Sequence, residues 1–163
     1  MEQEKEKNEE TFVKKVVQTA LEAERQIRRQ QVLHNTRMLM EEYIEMKRHI
    51  ESAVSEEEEL KEEQYDVFRG EGAHLGSVRR SKMKTAMMIA NIDRAMEELR
   101  AEYETKEMAY KYDAFKTHYI DGVSYEEIAD IQNCGKNTPS RWSKELIRKM
   151  SVKLFGIDGV EKY

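Results

Sequence analysis

Six basic side chains fall between positions 136 and 153, namely Lys136, Arg141, Lys144, Arg148, Lys149 and Lys153, against the single acid Glu145. Cations at this density, interleaved with Asn137, Thr138 and Ser140, suit the binding of a polyanion rather than covalent chemistry. Arg and Lys pair with guanine edges, Asn pairs with adenine, and all three can hold phosphate. Elsewhere the sequence offers no Gly-rich phosphate loop and no Ser/His/Asp or Cys/His arrangement, so an enzyme is not expected. The four histidines, His34, His49, His74 and His118, are scattered without clustered acids or cysteines, and no metal or cofactor is expected. Cys134 is the single cysteine, so no internal disulfide can form. It reads as a small apolar plug rather than a reactive thiol.

The net charge of −5 does not oppose an anionic partner. Acids concentrate at Glu2 to Glu10 and at Glu56 to Glu63, and a binding surface needs local rather than total positive charge. No apolar run approaches the roughly 20 residues that span a bilayer, and the acidic start is not a signal peptide. A cytoplasmic, nucleoid-associated protein without a membrane partner is expected.

The elements that would position the basic run begin near Tyr112. Tyr112, Phe115 and Tyr119 form the apolar face of a helix that ends at Asp121-Gly122, with Gly122 suited to the left-handed conformation. Ser124 with Glu127 three residues on predicts a capping box. Tyr125, Ile128, Ala129 and Ile131 form the packing face of a short helix, and small Ala129 permits a close helix crossing. Gln132 to Gly135 forms a tight turn in which Asn133 can take the left-handed conformation. A second helix begins near Gly135 or Lys136, tolerates Pro139 in its first turn, and turns Trp142, Leu146, Met150 and Leu154 inward. Lys136, Asn137, Ser140, Arg141 and Lys144 then face outward as base contacts, with Thr138, Arg148 and Lys149 as phosphate contacts. This is the pattern of a helix-turn-helix that binds double-stranded DNA. The alternative is a helical hairpin with a solvated basic face.

The rest of the chain reads as long charged helices. The expected fold is all-α: residues 1–10 a frayed acidic tail, 11–108 a helical hairpin, and 109–163 the helix-turn-helix domain. The stripe Val32, Thr36, Leu39, Tyr43, Met46, Ile50 and Ala53 alternates steps of four and three, which suits either a coiled-coil homodimer or packing within one subunit. A weaker stripe precedes it at Val13, Val17, Ala20 and Ile27. Gly70, Gly72 and Gly76 predict a loop over 65–77 where the chain reverses. A second long helix follows from Ser77 to Glu107, with the stripe Ala86, Ile89, Ile92, Met96, Leu99 and Tyr103. Arg79, Arg80, Lys82 and Lys84 crowd its start, where cations oppose the helix dipole by about 0.3–1 kcal/mol each. They read either as a second anion contact or as partners of the acids at Glu56 to Glu63.

Four segments in this order resemble the phage late-gene transcriptional regulators of the ArpU/RinA type. They are His34 to Met40 with Tyr43, Arg80 to Thr85 with Met88 and Ile92-Asp93, the helix-turn-helix from Ser124 to Trp142, and Leu154 to Ile157. Two positions depart from the family pattern: Gly135 replaces a capping Ser, and Pro139 replaces an aliphatic residue. The resemblance implies a sigma-factor-like DNA-reading unit and an activator of a prophage packaging, morphogenesis or lysis operon that acts with host RNA polymerase. Two further functions fit the same sequence. One is a sigma-like factor, which would need exposed aromatics for promoter melting. The other is a small terminase subunit, which would assemble as a ring of many copies.

Overall fold

The computed structural model describes residues 2–52 and 72–156, with side chains over 11–52 and 80–156. The chain is all-α. The described helices are α1 (Glu2–Glu41), α2 (43–52), α3 (Gly72–Thr105), α4 (Ala109–Tyr119), α5 (Tyr125–Ile131) and α6 (Thr138–Phe155). Among the described residues, no helix is long and apolar enough to cross a membrane.

Residues 2–10, expected to be frayed, are the first turns of α1. Glu2 and Glu4 fall in its first turn, where negative charge complements the positive end of the helix dipole. Between α1 and α2 the hydrogen-bond ladder continues through a bend at Glu42: the Glu42 N–H donates to Met38 O and the Met46 N–H to Glu42 O, both at 2.9 Å.

The expected loop over 65–77 is corrected over its second half, where residues 72–77 belong to α3. Glycine weakens a helix by about 1 kcal/mol without preventing it, and a helix of 34 residues has many favourable turns over which to offset that cost. The remainder of that loop, the acids Glu56 to Glu63 and Ala53 lie outside the described residues. Because α3 starts at Gly72, Arg79 to Lys84 lie about two turns inside the helix, beyond the turn where the dipole acts.

One apolar core runs through the molecule. It joins Met40 of α1, Tyr43 of α2, Ile89, Ile92, Met96, Leu99 and Tyr103 of α3, Tyr112 and Phe115 of α4, and Leu146, Ile147 and Met150 of α6. The stripe read for α3 is thus its buried face. Residues 109–156 share this core with the N-terminal helices and do not enclose a separate one. The stripe at Val32 to Ile50 packs within the chain: Val32, Thr36 and Tyr43 are buried, and Leu39, Met46 and Ile50 lie against the core. Thr36, fully buried, satisfies its hydroxyl by donating to Val32 O at 2.8 Å. Tyr43 donates to Asp93 of α3, and Lys47 lies 3.5 Å from the same carboxylate.

The α3–α4 corner is a left-handed helix end. Glu107 has φ 57°, the Met108 N–H reaches Tyr103 O at 2.8 Å, and the Glu107 N–H reaches Glu104 O at 3.0 Å. This pair of bonds ends helices around a residue that is usually glycine, because a Cβ is disfavoured there. Glu107→Gly is expected to raise unfolding stability by roughly 0.5–1 kcal/mol, the strain relieved exceeding the added entropy of the unfolded chain. Chemical denaturation of the two proteins checks this.

Candidate nucleic-acid interface

The path to α6 is built from three local devices. The first is the end of α4. The Ile120 N–H bonds Lys116 O at 2.8 Å, and Gly122 turns the chain at φ 72°. His118, unassigned from the sequence, fastens this turn: its Nδ1 lies 2.8 Å from Val123 O, and its ring stacks on Tyr125 with centroids 3.7 Å apart. The second device is the capping box. Ser124 Oγ accepts the Glu127 N–H at 3.2 Å, and Glu127 Oε2 accepts the Ser124 N–H at 3.0 Å. The bonds from the Ser124 hydroxyl and then its backbone hold the Glu127 carboxyl below the ordinary carboxylate range.

The third device is the turn after α5. Asn133 is left-handed at φ 51°, its N–H bonds Asp130 O at 3.2 Å, and the Cys134 N–H bonds Ala129 O at 2.9 Å. These two bonds form a Schellman end with Asn133 in the glycine position. Gln132 ties the turn to α4 by donating to Tyr110 O at 3.1 Å. Cys134 is half-buried.

Ile128 and Ala129 are buried as expected, whereas Ile131 is 74% exposed and does not join the packing face. It lies about 200° round the helix from Ala129, at roughly 100° per residue.

The turn is longer than the four residues expected, and α6 begins at Thr138 rather than near Gly135. Pro139 explains the difference. A helix starting at Gly135 would need the residue-139 N–H to bond the Gly135 carbonyl, and proline has none. That carbonyl instead accepts the Thr138 N–H at 2.8 Å, and the Arg141 N–H then bonds Asn137 O at 3.2 Å. A Cβ at Gly135 would stand 3.2 Å from Thr138 Oγ1, so a larger residue there needs a small shift of the Thr138 side chain.

The inner face of α6 is held by packing and by a polar clamp. Ser143, Leu146, Ile147, Met150 and Ser151 are all 0–2% exposed. Trp142 is half-buried, edge-on to Tyr110 at 5.1 Å, and Leu154 packs at the core margin. Glu145 Oε1 accepts from the Tyr103 hydroxyl at 2.7 Å, and Oε2 accepts from Lys111 at 2.9 Å. Burial, and then the bond to Glu145, push the Tyr103 hydroxyl up. For Glu145 itself burial acts upward, but Tyr103 and Lys111 outweigh it and hold the carboxyl below its usual range.

Lys149 belongs to this clamp: it pairs with Glu102 and lies over the Tyr103 ring at 5.3 Å. Its reading as a phosphate contact is corrected, because residue 149 points toward α3. Lys153 likewise pairs with Glu98 of α3 at 2.9 Å.

The outer face carries Asn137, Arg141, Lys144 and Arg148, all exposed and spaced by four, three and four residues on one side of α6. Lys136 is exposed beside them and pairs with Glu126 of α5 at 2.6 Å. Ser140 is half-buried rather than outward. With Lys144 it lines a cleft of about 220 Å³ shared with Arg37 and Glu41 of α1, His118 and Tyr119 of α4, and Tyr125 of α5. Arg37 is a cation beside the α6 face that sequence spacing did not link to it. Thr138 is half-buried, and its hydroxyl lies 3.4 Å from Arg141 Nη2.

Arg80 and Lys84 are exposed and Lys82 is half-buried. The structure does not bring this group to α6. Glu98, where α6 meets α3, is eighteen residues from Arg80, or about 27 Å along the helix.

The clamp predicts an acid-side loss of stability. Glu145 and Glu102 titrate lower when folded than when unfolded, so their contribution is complete above the ordinary carboxylate value near 4.5 and is lost as pH falls through the lower folded values. In Glu145→Gln the unfolding midpoint is expected to fall less between about pH 5 and pH 3 than in the parent, as thermal melts across that range would show. Ser124→Ala is expected to cost about 1 kcal/mol through the lost cap, read by denaturation at neutral pH. No family model, no curated protein and no solved structure matches this chain.

Proposed function

We propose that this chain is a sequence-specific DNA-binding protein, in which α5, its turn and α6 act as a helix-turn-helix and α6 enters the major groove. The observation that carries this reading is the stripe Asn137, Arg141, Lys144 and Arg148, exposed along one face of a helix whose other face is locked into the core. Base edges in the major groove are read by such side chains when the helix bearing them is rigid and protrudes.

Arg141 and Lys144, with Asn137 and Lys136 at the helix entry, are the base contacts on this reading. Arg148 holds phosphate, and Arg37 adds a cation at the flank. The ion pair between Lys136 and Glu126 is exposed on both sides, so it opens at little cost when phosphate or a base edge competes.

The regulatory role extends the resemblance to ArpU/RinA-type regulators. Bound upstream of a prophage late operon, the protein would activate packaging, morphogenesis or lysis genes together with host RNA polymerase. Gel shift on duplex DNA drawn from such a promoter, followed by transcription in vitro with host polymerase, tests both steps. Binding and stimulated transcription are expected, and a protein that does neither overturns the reading.

Binding-site selection separates the roles of individual residues. Lys136→Ala and Arg141→Ala are each expected to relax preference at one base position, by about 1–3 kcal/mol of discrimination for a bidentate contact. Arg148→Ala is expected to weaken binding to all sequences alike and to lower the slope of log affinity against log salt by about 1.

A further inference from the structure

Every residue from 11 to 28 of α1 is exposed, a length of about 27 Å at roughly 1.5 Å per residue. This segment is not polar all round. Phe12, Val13, Val16, Val17, Leu21 and Ile27 are between 46% and 69% exposed. Scattered apolar residues are ordinary on a protein surface, but a contiguous stripe along about four helical turns marks an interaction surface.

Within the stripe lies the spacing of a coiled-coil seam, flanked by Phe12 and Val17, with Leu21 outside it at a b position. Val13, Val16, Ala20, Ala23 and Ile27 follow one another by three, four, three and four residues, the a and d positions of successive heptads. The charges respect the same frame. Lys14, Lys15, Arg25, Arg28 and Arg29 all fall at the solvent-facing b, c and f positions. The flanking e and g positions from 12 to 26 hold Phe12, Val17, Thr19, Glu24 and Gln26, with Glu24 the one charge among them. Partner choice in coiled coils is set largely by charges at these flanks. Here an identical helix meets the seam with no row of like charges opposed, and no charge code is present to select a different partner.

We infer that residues 12–27 of α1 form a homodimer seam, with a second copy of this chain as the occupant. The stripe at Val32 to Ile50, whose spacing also fits a dimer, is occupied inside the chain, so the contact between copies moves about six turns toward the N-terminus. The pairing stands on the helix surface alone and holds whether or not the chain binds DNA.

Sedimentation equilibrium of the full chain tests it, with loading varied over about 5–200 µM because association depends on protomer concentration. The mass is expected to rise to twice 19.3 kDa at the top of the range. The double variant Val16→Glu/Ile27→Glu is expected to stay at the monomer mass throughout, with its near-ultraviolet circular dichroism unchanged because these positions do not touch the core. Ala20→Leu, which fills a seam layer, is expected to lower the dissociation constant. A parent chain that stays monomeric at the highest loading overturns the inference. So does a double variant that still dimerises, or a parent that assembles beyond two copies.

Discussion

The burial of one face of α6 is the constraint on which the rest of the molecule depends. This helix touches α1, α3, α4 and α5, and its residues Leu146, Ile147 and Met150 sit at the centre of the shared core. A helix whose inner face is closed on that many sides has little freedom to roll, because rotating it would expose apolar surface worth roughly 25 cal/mol per Å² and open voids in a close-packed interior. The hydrogen bonds and ion pairs of Glu145 and Lys149 to α3 and α4 then set its rotation about its own axis. Lys111, its side chain 17% exposed, would be a poorly solvated cation without Glu145, so the polar clamp adds specificity to what packing begins.

That rotation divides the basic residues into two populations. Lys149 and Lys153 face α3 and neutralise Glu102 and Glu98. Arg141, Lys144 and Arg148 face solvent. The local positive charge is therefore narrower than a count along the chain suggests, and it is concentrated on one strip. On the proposed reading, that concentration is useful: cations spread round a helix bind phosphate without register, whereas a strip on a fixed face presents the same groups to the same base pairs each time. The cleft between α1 and α6 adds Arg37 to one edge of this strip, which makes the N-terminal helix part of the surface as well as part of the core.

Features whose causes span a few residues were legible in the sequence. The Ser124–Glu127 capping box and the left-handed Gly122 and Asn133 follow from spacing, because their partners lie within one or two helical turns, and the buried face of α3 follows from the helical period of its own apolar residues. The later start of α6 also has a local cause, the missing N–H of Pro139, although the pattern around it suggested an earlier one. The Gly-rich stretch misled in the opposite direction, since Gly72 and Gly76 lie within α3 rather than in a loop.

Side-chain destinations were a different matter. Arg148 and Lys149 are neighbours in the chain and both basic, yet Arg148 lies on the exposed strip and Lys149 is half-buried against α3. The acids on that helix decide between them, and nothing near position 148 in the sequence announces those acids. The stripe at Val32 to Ile50 has a spacing that serves a dimer and an internal core equally well. It packs internally because α3, α4 and α6 complete a core around it, while the similar stripe at Val13 to Ile27 stays bare. The amino-acid order alone determined most of the helices, their caps and the sign of the charge near the C-terminus, because these depend on short-range bonds and composition. The tertiary structure decided which face each helix turns outward, because that depends on apolar and charged neighbours distant in sequence.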